Sequence, residues 1–211
     1  MTLELDSHGF PKTSGIFETI KTVNGQPIAL ARHMRRALDS ARSLGLKMPP
    51  EEELRVDLIK ILHERPVEVG KLRICIYADG FHLSHEEYAE PSSPLRLNFF
   101  SQTVSGEEHK RFPYDHRFKL LKSAQNEGFD DCILFNAKNE VTESAVANLL
   151  FLIQGSWVTP PISAGVLPGV IRAIAIEKCD VKVRPIHISE IPDVESGFSL
   201  ASLRIAQPIS H

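Results

Sequence analysis

The chain has no apolar run long enough to span a bilayer, which argues against a membrane-spanning helix. Its formal net charge is only -3, which offers no electrostatic case for nucleic acid or for an anionic membrane. Cysteine is scarce as well: the three, Cys75, Cys132 and Cys179, are far apart and odd in number. They exclude a disulfide framework and read as buried free thiols of a reduced compartment. The opening residues, Met1 to Asp6, are acidic and lack the basic flank and apolar stretch of a signal peptide. There is no GxSxG, no P-loop glycine cluster and no CxxC. The histidines show no metal-ligand spacing, and His82 and His85, in a turn-rich loop, are expected to be exposed. A cytoplasmic globular protein without a metal centre is the expectation.

What is present is an ordinary core-forming composition, 211 residues with 42% hydrophobic content. Ile16 to Val23 reads as a strand closed by an Asn24-Gly25 turn. Leu30, Met34, Ala37, Leu38, Ala41 and Leu44 follow helical spacing up to Gly45. Pro50 and Glu51 to Glu53 open a second helix carrying Leu54, Leu58, Ile61 and Leu62. Strands are expected at Leu72 to Tyr77, Leu95 to Phe100, Cys132 to Phe135, Leu149 to Ile153, Trp157 to Thr159, Val181 to Val183 and Phe198 to Leu200. Helices are expected over Asp115 to Glu127 and Val170 to Lys178. Helices and strands mix without a regular βαβ repeat, which predicts an α+β fold of two domains. The polar segment 101–108 is the expected linker, between a small domain over 1–100 and a second over 109–211.

Taken singly, the chemically interesting residues are unremarkable. Arg36 shares a helix with Arg32 and Arg35, Lys110 is one lysine among many, and Glu143 could end a strand in solvent. The Gly169 helix start could hold a phosphate or merely turn the chain. Together they form a set. Arginine offers a planar fork of donors to a phosphate, and lysine offers an amine to an aldehyde and can then move protons. A carboxylate keeps a pyridine nitrogen protonated. One cofactor needs all of these, pyridoxal 5'-phosphate.

The motifs that carry this set resemble the class IV aminotransferase family, the fold-type-IV pyridoxal-phosphate enzymes. Gly15-Ile16-Phe17-Glu18-Thr19-Ile20 is similar to the family's G-x-F/Y-E strand. His33-Met34-Arg35-Arg36 resembles its H-x-x-R helix, and Val141-Thr142-Glu143-Ser144 with Ala147-Asn148-Leu149 its V-T-E and S-N segment. Leu167-Pro168-Gly169-Val170-Ile171-Arg172 resembles the phosphate loop, and Ala201-Ser202-Leu203-Arg204 the late serine motif. The resemblance runs from about Gly15 to Pro208 and implies a two-domain D-amino-acid aminotransferase-like fold, with the cofactor in the cleft between domains.

By that resemblance, Arg36, Ser202 and the N–H groups of Val170 and Ile171 behind Gly169 hold the phosphate. Glu143, in a stretch that includes Asn148, faces the pyridine nitrogen, and Tyr114 lies near the phenolic oxygen. Among Lys110, Lys119 and Lys122, counting back from Gly128-Phe129-Asp130-Asp131 selects Lys110 as the reactive lysine; the other two fall on a helix face. Phe17, Thr19 and Arg204 are implied on the substrate side. Tyr77 to Ser84 lacks the R-x-H carboxylate trap of D-amino-acid aminotransferases and is similar to a segment of short aminodeoxychorismate lyases. The implied activity is therefore conversion of 4-amino-4-deoxychorismate to 4-aminobenzoate and pyruvate in the folate pathway. An amino-acid aminotransferase of branched-chain or D-amino-acid type is the alternative, and an inactive cofactor-binding homologue a third reading. The implied partners are a small amino-acid-like substrate, a second copy of the chain in a homodimer, and an aminodeoxychorismate synthase.

Overall fold

A computed structural model describes residues 3–103 and 108–210 of the chain. It contains strands β1 (Gly15–Val23) and β2 (Gln26–Pro27), helices α1 (Leu30–Leu44) and α2 (Glu51–Glu64), and strands β3 (Val69–Tyr77), β4 (Gly80–Glu87), β5 (Leu95–Thr103) and β6 (Arg111–Phe112). Helix α3 (Asp115–Asn126) follows, then β7 (Asp131–Phe135), β8 (Val141–Ser144), β9 (Asn148–Ile153) and β10 (Ser156–Thr159). Helix α4 (Val170–Lys178), β11 (Val181–Val183), β12 (Val194–Ala201) and β13 (Ile205–Ser210) complete the chain. Among the described residues no helix is long and apolar enough to cross a membrane.

Contacts divide the chain into two compact units, one of residues 1–90 and 109–114, the other of 91–108 and 115–211. The division differs from the expected boundaries at 100 and 109. Strand β5 pairs with β7 and β13 and so belongs to the second unit, while β6 pairs with β1 and returns Lys110 and Tyr114 to the first. Of the expected linker 101–108, residues 104–107 lie outside the described residues.

In the first unit the sheet order is β2-β1-β3-β4, with β6 also pairing to β1. Alternation along β1 sends Ile16, Glu18 and Ile20 to one face and Phe17, Thr19 and Lys21 to the other. Ile16 and Ile20 join Leu72, Ile74 and Ile76 of β3 in a core with Ala37 and Ala41 of α1 and Leu54 and Leu58 of α2. Glu18 is thus a carboxylate on the helix-facing side of the sheet. Gly15 lies where β6 crosses: a Cβ there would meet the Ile76 carbonyl at 2.1 Å and the Phe112 ring at 2.7 Å. Only glycine fits.

In the second unit an eight-stranded mixed sheet runs β11-β10-β9-β12-β13-β5-β7-β8. Ile133, Val141, Leu149, Phe151, Ile153 and Val158 form one core cluster. Helix α3 packs Ala124 and Leu121 on Cys132 and Leu134, and α4 packs Ile171 and Ile174 on Leu150 and Leu200. The fold is α+β, as expected from the mixed pattern.

Three expectations need correction. His82 and His85 are on strand β4 rather than in a loop, and His85 is fully buried, bonded through Nε2 to Thr22 Oγ1 at 2.8 Å. Cys75 and Cys132 are buried, with burial pushing each thiol up to about 12, but Cys179 is exposed at the C-cap of α4. Helix periodicity around Ile174 and Ile176 ends one residue before it, so the core-facing pattern does not extend to Cys179. The solvent-facing reading of Glu143 also fails: the residue is 4% exposed.

Candidate active site

Two constellations stand out, one in each unit. In the first, β1 and the segment leading into β6 place Lys110. The Phe17 N–H donates to the Lys110 carbonyl at 2.9 Å, extending the β1–β6 ladder by one bond. The Lys110 Nζ lies 4.6 Å from the Phe17 ring centroid and 5.1 Å from that of Tyr114, and the two rings meet edge to face at 5.1 Å. An ammonium over two aromatic faces is attracted by their quadrupoles. Lys110, Phe17 and Tyr114 are therefore together. Thr19, half-buried, lies two residues along the same face of β1 and pairs in register with Arg73. Lys119 and Lys122 are exposed on α3, on a solvated helix face as expected.

Arg36 is organised by the opposite face of β1. Its Nε donates to Glu18 Oε1 at 2.8 Å and its Nη2 to Oε2, while His33 Nδ1 is 2.7 Å from Oε2. His33 and Arg36 are one helical turn apart on α1, so both side chains reach the same carboxylate. Burial pushes the Glu18 carboxyl up, but the Arg36 charge and the bonds from His33 and Arg36 outweigh it and leave it below the usual carboxylate range. Arg35, by contrast, is exposed.

One turn further along α1, Ser40 and Ser43 meet His109. Its Nδ1 is 3.2 Å from Ser40 Oγ and its Nε2 3.1 Å from Ser43 Oγ. The residue before Lys110 is thus clipped to the helix that carries Arg36.

In the second unit Glu143 is the centre. Oε1 accepts from Arg117 Nη2 at 2.6 Å; Oε2 accepts from Asn148 Nδ2 at 3.2 Å and from the Leu167 N–H at 3.1 Å. Asn148 also donates to the Leu167 carbonyl at 3.1 Å. Gly169, at the N-cap of α4, comes so close to Asn148 that a Cβ would meet Oδ1 at 1.8 Å. Gly169, the N-cap of α4, makes no side-chain cap bond, so the first N–H groups of the helix, at Val170 and Ile171, are not met by an N-cap side chain. Glu143, Asn148 and the Gly169 loop are together.

A second buried carboxylate holds this arrangement from below. Asp131 accepts from Ser144 Oγ at 2.8 Å and from the N–H groups of Cys132 at 2.8 Å and Ala145 at 3.0 Å. Burial pushes its carboxyl up, and those bonds with the Arg204 charge only partly offset it. Ser202 and Arg204 lie apart from Glu143 in sequence, in the turn between β12 and β13, and Arg204 Nη1 is buried without a hydrogen-bond partner.

In the second unit the helix start behind Gly169 offers N–H groups to an anion beside a buried carboxylate, and in the first unit Lys110 lies against two aromatic rings. Each is a group of the kind a phosphorylated pyridine aldehyde needs. The model for "Amino-transferase class IV" matches residues 15–211. The chain belongs to the class IV aminotransferase family.

Members of this family use pyridoxal phosphate. A Methanocaldococcus jannaschii protein named "Putative branched-chain-amino-acid aminotransferase" is 24% identical over 221 residues, covering 90% of this chain and 76% of its own. A Schizosaccharomyces pombe protein named "Putative aminodeoxychorismate lyase" is 25% identical over 172 residues, covering 78% of this chain and 74% of its own. The crystal structure of a Legionella pneumophila protein described as "Putative 4-amino-4-deoxychorismate lyase" superposes with a TM-score of 0.85 at 24% identity, over 92% of this chain and 81% of that one. As a class IV member the chain has the fold-type-IV architecture, and its relatives carry the names of both lyases and aminotransferases.

Three site residues were missed in the sequence. Glu18 sits inside a recognised motif but had no role, because a glutamate in a strand gives no sign of the arginine it will meet. Arg117 looks like solvated helix charge beside His116 and Lys119. Asp131 was a spacing marker only. The one available signal was the apolar run of β7 directly after it, which buries any carboxylate at its start.

Proposed function

We propose that the chain is a pyridoxal-phosphate-dependent 4-amino-4-deoxychorismate lyase that releases 4-aminobenzoate and pyruvate. The observation that carries the cofactor reading is the bond from the Leu167 N–H to Glu143, which ties a buried carboxylate of β8 to the short loop that opens α4 at Gly169. The lyase reading draws on the absence of an R-x-H trap in Tyr77 to Ser84 and on the lyase-named relative.

When bound, the cofactor supplies an aldehyde for the substrate amine and a ring that withdraws electrons from the carbon bearing it. Arg36, fixed by Glu18, the N–H groups of Val170 and Ile171, and Ser202 bind the phosphate. Glu143 pairs with the ring nitrogen, held in place by Asn148, and Tyr114 lies toward the phenolic oxygen. Lys110 would be the residue that holds the cofactor aldehyde, and its Nζ, once free, would take the proton from the amine-bearing carbon of the substrate ring. With that proton gone, the C–O bond to the enolpyruvyl group would break, the substrate's own ring would become aromatic, and Lys110 would return the proton to the methylene carbon of the departing group, giving 4-aminobenzoate and pyruvate. Phe17 and Thr19 line the substrate side, and Arg204 offers a guanidinium to a substrate carboxylate. The chain acts as a cytoplasmic homodimer supplied by an aminodeoxychorismate synthase.

The second reading, a branched-chain amino-acid aminotransferase, is favoured by the name of the Methanocaldococcus relative. It would use the same residues, with Lys110 moving the α-proton of the amino acid. The test is to load the protein with pyridoxal phosphate, generate aminodeoxychorismate in situ and follow pyruvate through lactate dehydrogenase, with Lys110→Ala as control. Pyruvate that requires Lys110 supports the lyase. No pyruvate, with a yellow protein that bleaches on adding a branched-chain amino acid, overturns the lyase in favour of the aminotransferase.

A further inference from the structure

Arg117 is the charged neighbour of Glu143 that no motif explains. It lies in the first turn of α3 and is 3% exposed. Its Nη2 donates to Glu143 Oε1 at 2.6 Å and its Nη1 to the Ser144 carbonyl at 3.3 Å, so one guanidinium grips both the carboxylate and the β8 backbone that carries it. A buried arginine is expensive unless its charge is matched, and here the match is the carboxylate at the centre of the site.

The other charges around Glu143 are arranged differently. The field of Arg172 reaches it, but the Arg172 hydrogen bond goes to the Pro160 carbonyl at 2.7 Å, and burial pulls that guanidinium below its ordinary range. Asp131 lies beyond Ser144, whose hydroxyl it accepts. Asn148 Nδ2 and the Leu167 N–H, both neutral donors, also bond the carboxylate. Arg117 is a cation in direct contact with the carboxylate.

We propose that Arg117 is a positioning residue that keeps Glu143 ionised and thereby keeps the shared proton on the cofactor's ring nitrogen. The inference rests on the reading of Glu143 as the partner of that nitrogen. Two basic groups and one proton allow two forms: a carboxylate beside a protonated ring, or a carboxylic acid beside a neutral ring. Both carry the same total charge, but burial penalises the ion pair and on its own favours the neutral form. A guanidinium bonded to the carboxylate reverses that preference. Its attraction to the carboxylate, its immediate neighbour, would exceed its repulsion from a ring nitrogen held on the far side of that carboxylate. The protonated ring is the better electron sink, so Arg117 acts on proton removal by Lys110 through Glu143.

The test uses full-length protein loaded with pyridoxal phosphate labelled with 15N in the ring, comparing wild type, Arg117→Lys and Arg117→Gln. Glutamine keeps a neutral donor where arginine had a charge; lysine keeps the charge. The wild type and the lysine variant are expected to show the ring resonance at the protonated-pyridine position at neutral pH. The glutamine variant is expected to move toward the neutral-pyridine position, with kcat reduced and KM little changed. A glutamine variant that folds, carries the cofactor and keeps the wild-type resonance overturns the proposal alone. So does a wild type whose ring nitrogen is neutral, a result that requires no variant to fold. A wild type that takes up no cofactor on Lys110, judged by borohydride reduction and mass mapping, overturns the cofactor reading and the proposal together.

Discussion

The Arg36 guanidinium and the Glu18 carboxylate form a two-bond pair across α1 and β1, with Glu18 only 3% exposed and His33 closing on the same oxygen. Paired in this way, the guanidinium is fixed in direction before any anion arrives. Breaking one partner of a buried pair costs about 3–5 kcal/mol, because the other charge is left uncompensated. Glu18→Ala is therefore expected to lower the melting temperature markedly and to weaken phosphate-ester binding. Thermal melts with and without pyridoxal phosphate check both effects, and a variant with wild-type stability and affinity would remove Glu18 from the account.

The same pair gives a pH dependence. The Glu18 carboxyl is depressed in the folded state, so its contribution is fully present above the ordinary carboxylate range and is lost as pH falls through its lowered folded value. Asp131 has the opposite sign: its raised carboxyl costs stability when ionised, and that cost is relieved as pH falls through its raised value. Melting temperature against pH should show a steeper acid loss in wild type than in Glu18→Gln, and a shallower acid loss in wild type than in Asp131→Asn.

Gly169→Ala should disturb the cofactor side of the second unit without touching Lys110. The added Cβ would collide with Asn148 Oδ1, so Asn148 must release its bonds to Glu143 and the Leu167 carbonyl. Overpacking of this kind costs about 1–3 kcal/mol. The expected result is a folded protein, less stable by that amount in a urea titration, with weaker cofactor binding.

His109 and Ser40 should behave as one unit. If the clip from His109 to α1 orients Lys110, His109→Ala and Ser40→Ala each reduce turnover modestly, and the double variant is no worse than His109→Ala alone. A double-mutant cycle measures this, and fully additive effects would show that the two act independently.

How much of this was legible in the sequence depends on the physical signal each residue leaves. Helices α1, α2 and α4 were legible because their apolar positions recur with a 3.6-residue period. Strand β9 was legible because Leu149 to Ile153 is continuously apolar. Strand β4 was not, since Gly80 to Glu87 interleaves Phe81 and Leu83 with histidines and acids, and only pairing to β3 makes it a strand. Strand β13 was hidden by Gln207 and Pro208. The boundary near Lys110 was unreadable because two residues of β6, Arg111 and Phe112, carry no period at all. Motif order pointed to Lys110 and Glu143. Their surroundings, Arg117 above all, depend on pairs distant in sequence that no local pattern encodes.

The central claim, that Lys110 is the lysine that takes the cofactor, is tested most directly by chemical trapping. The protein is loaded with pyridoxal phosphate, reduced with borohydride, digested and mapped by mass spectrometry. The account predicts one reduced cofactor per chain, on the peptide that contains Lys110. A label on Lys119, Lys122 or another lysine, or no label on a protein that is folded by circular dichroism, would contradict it.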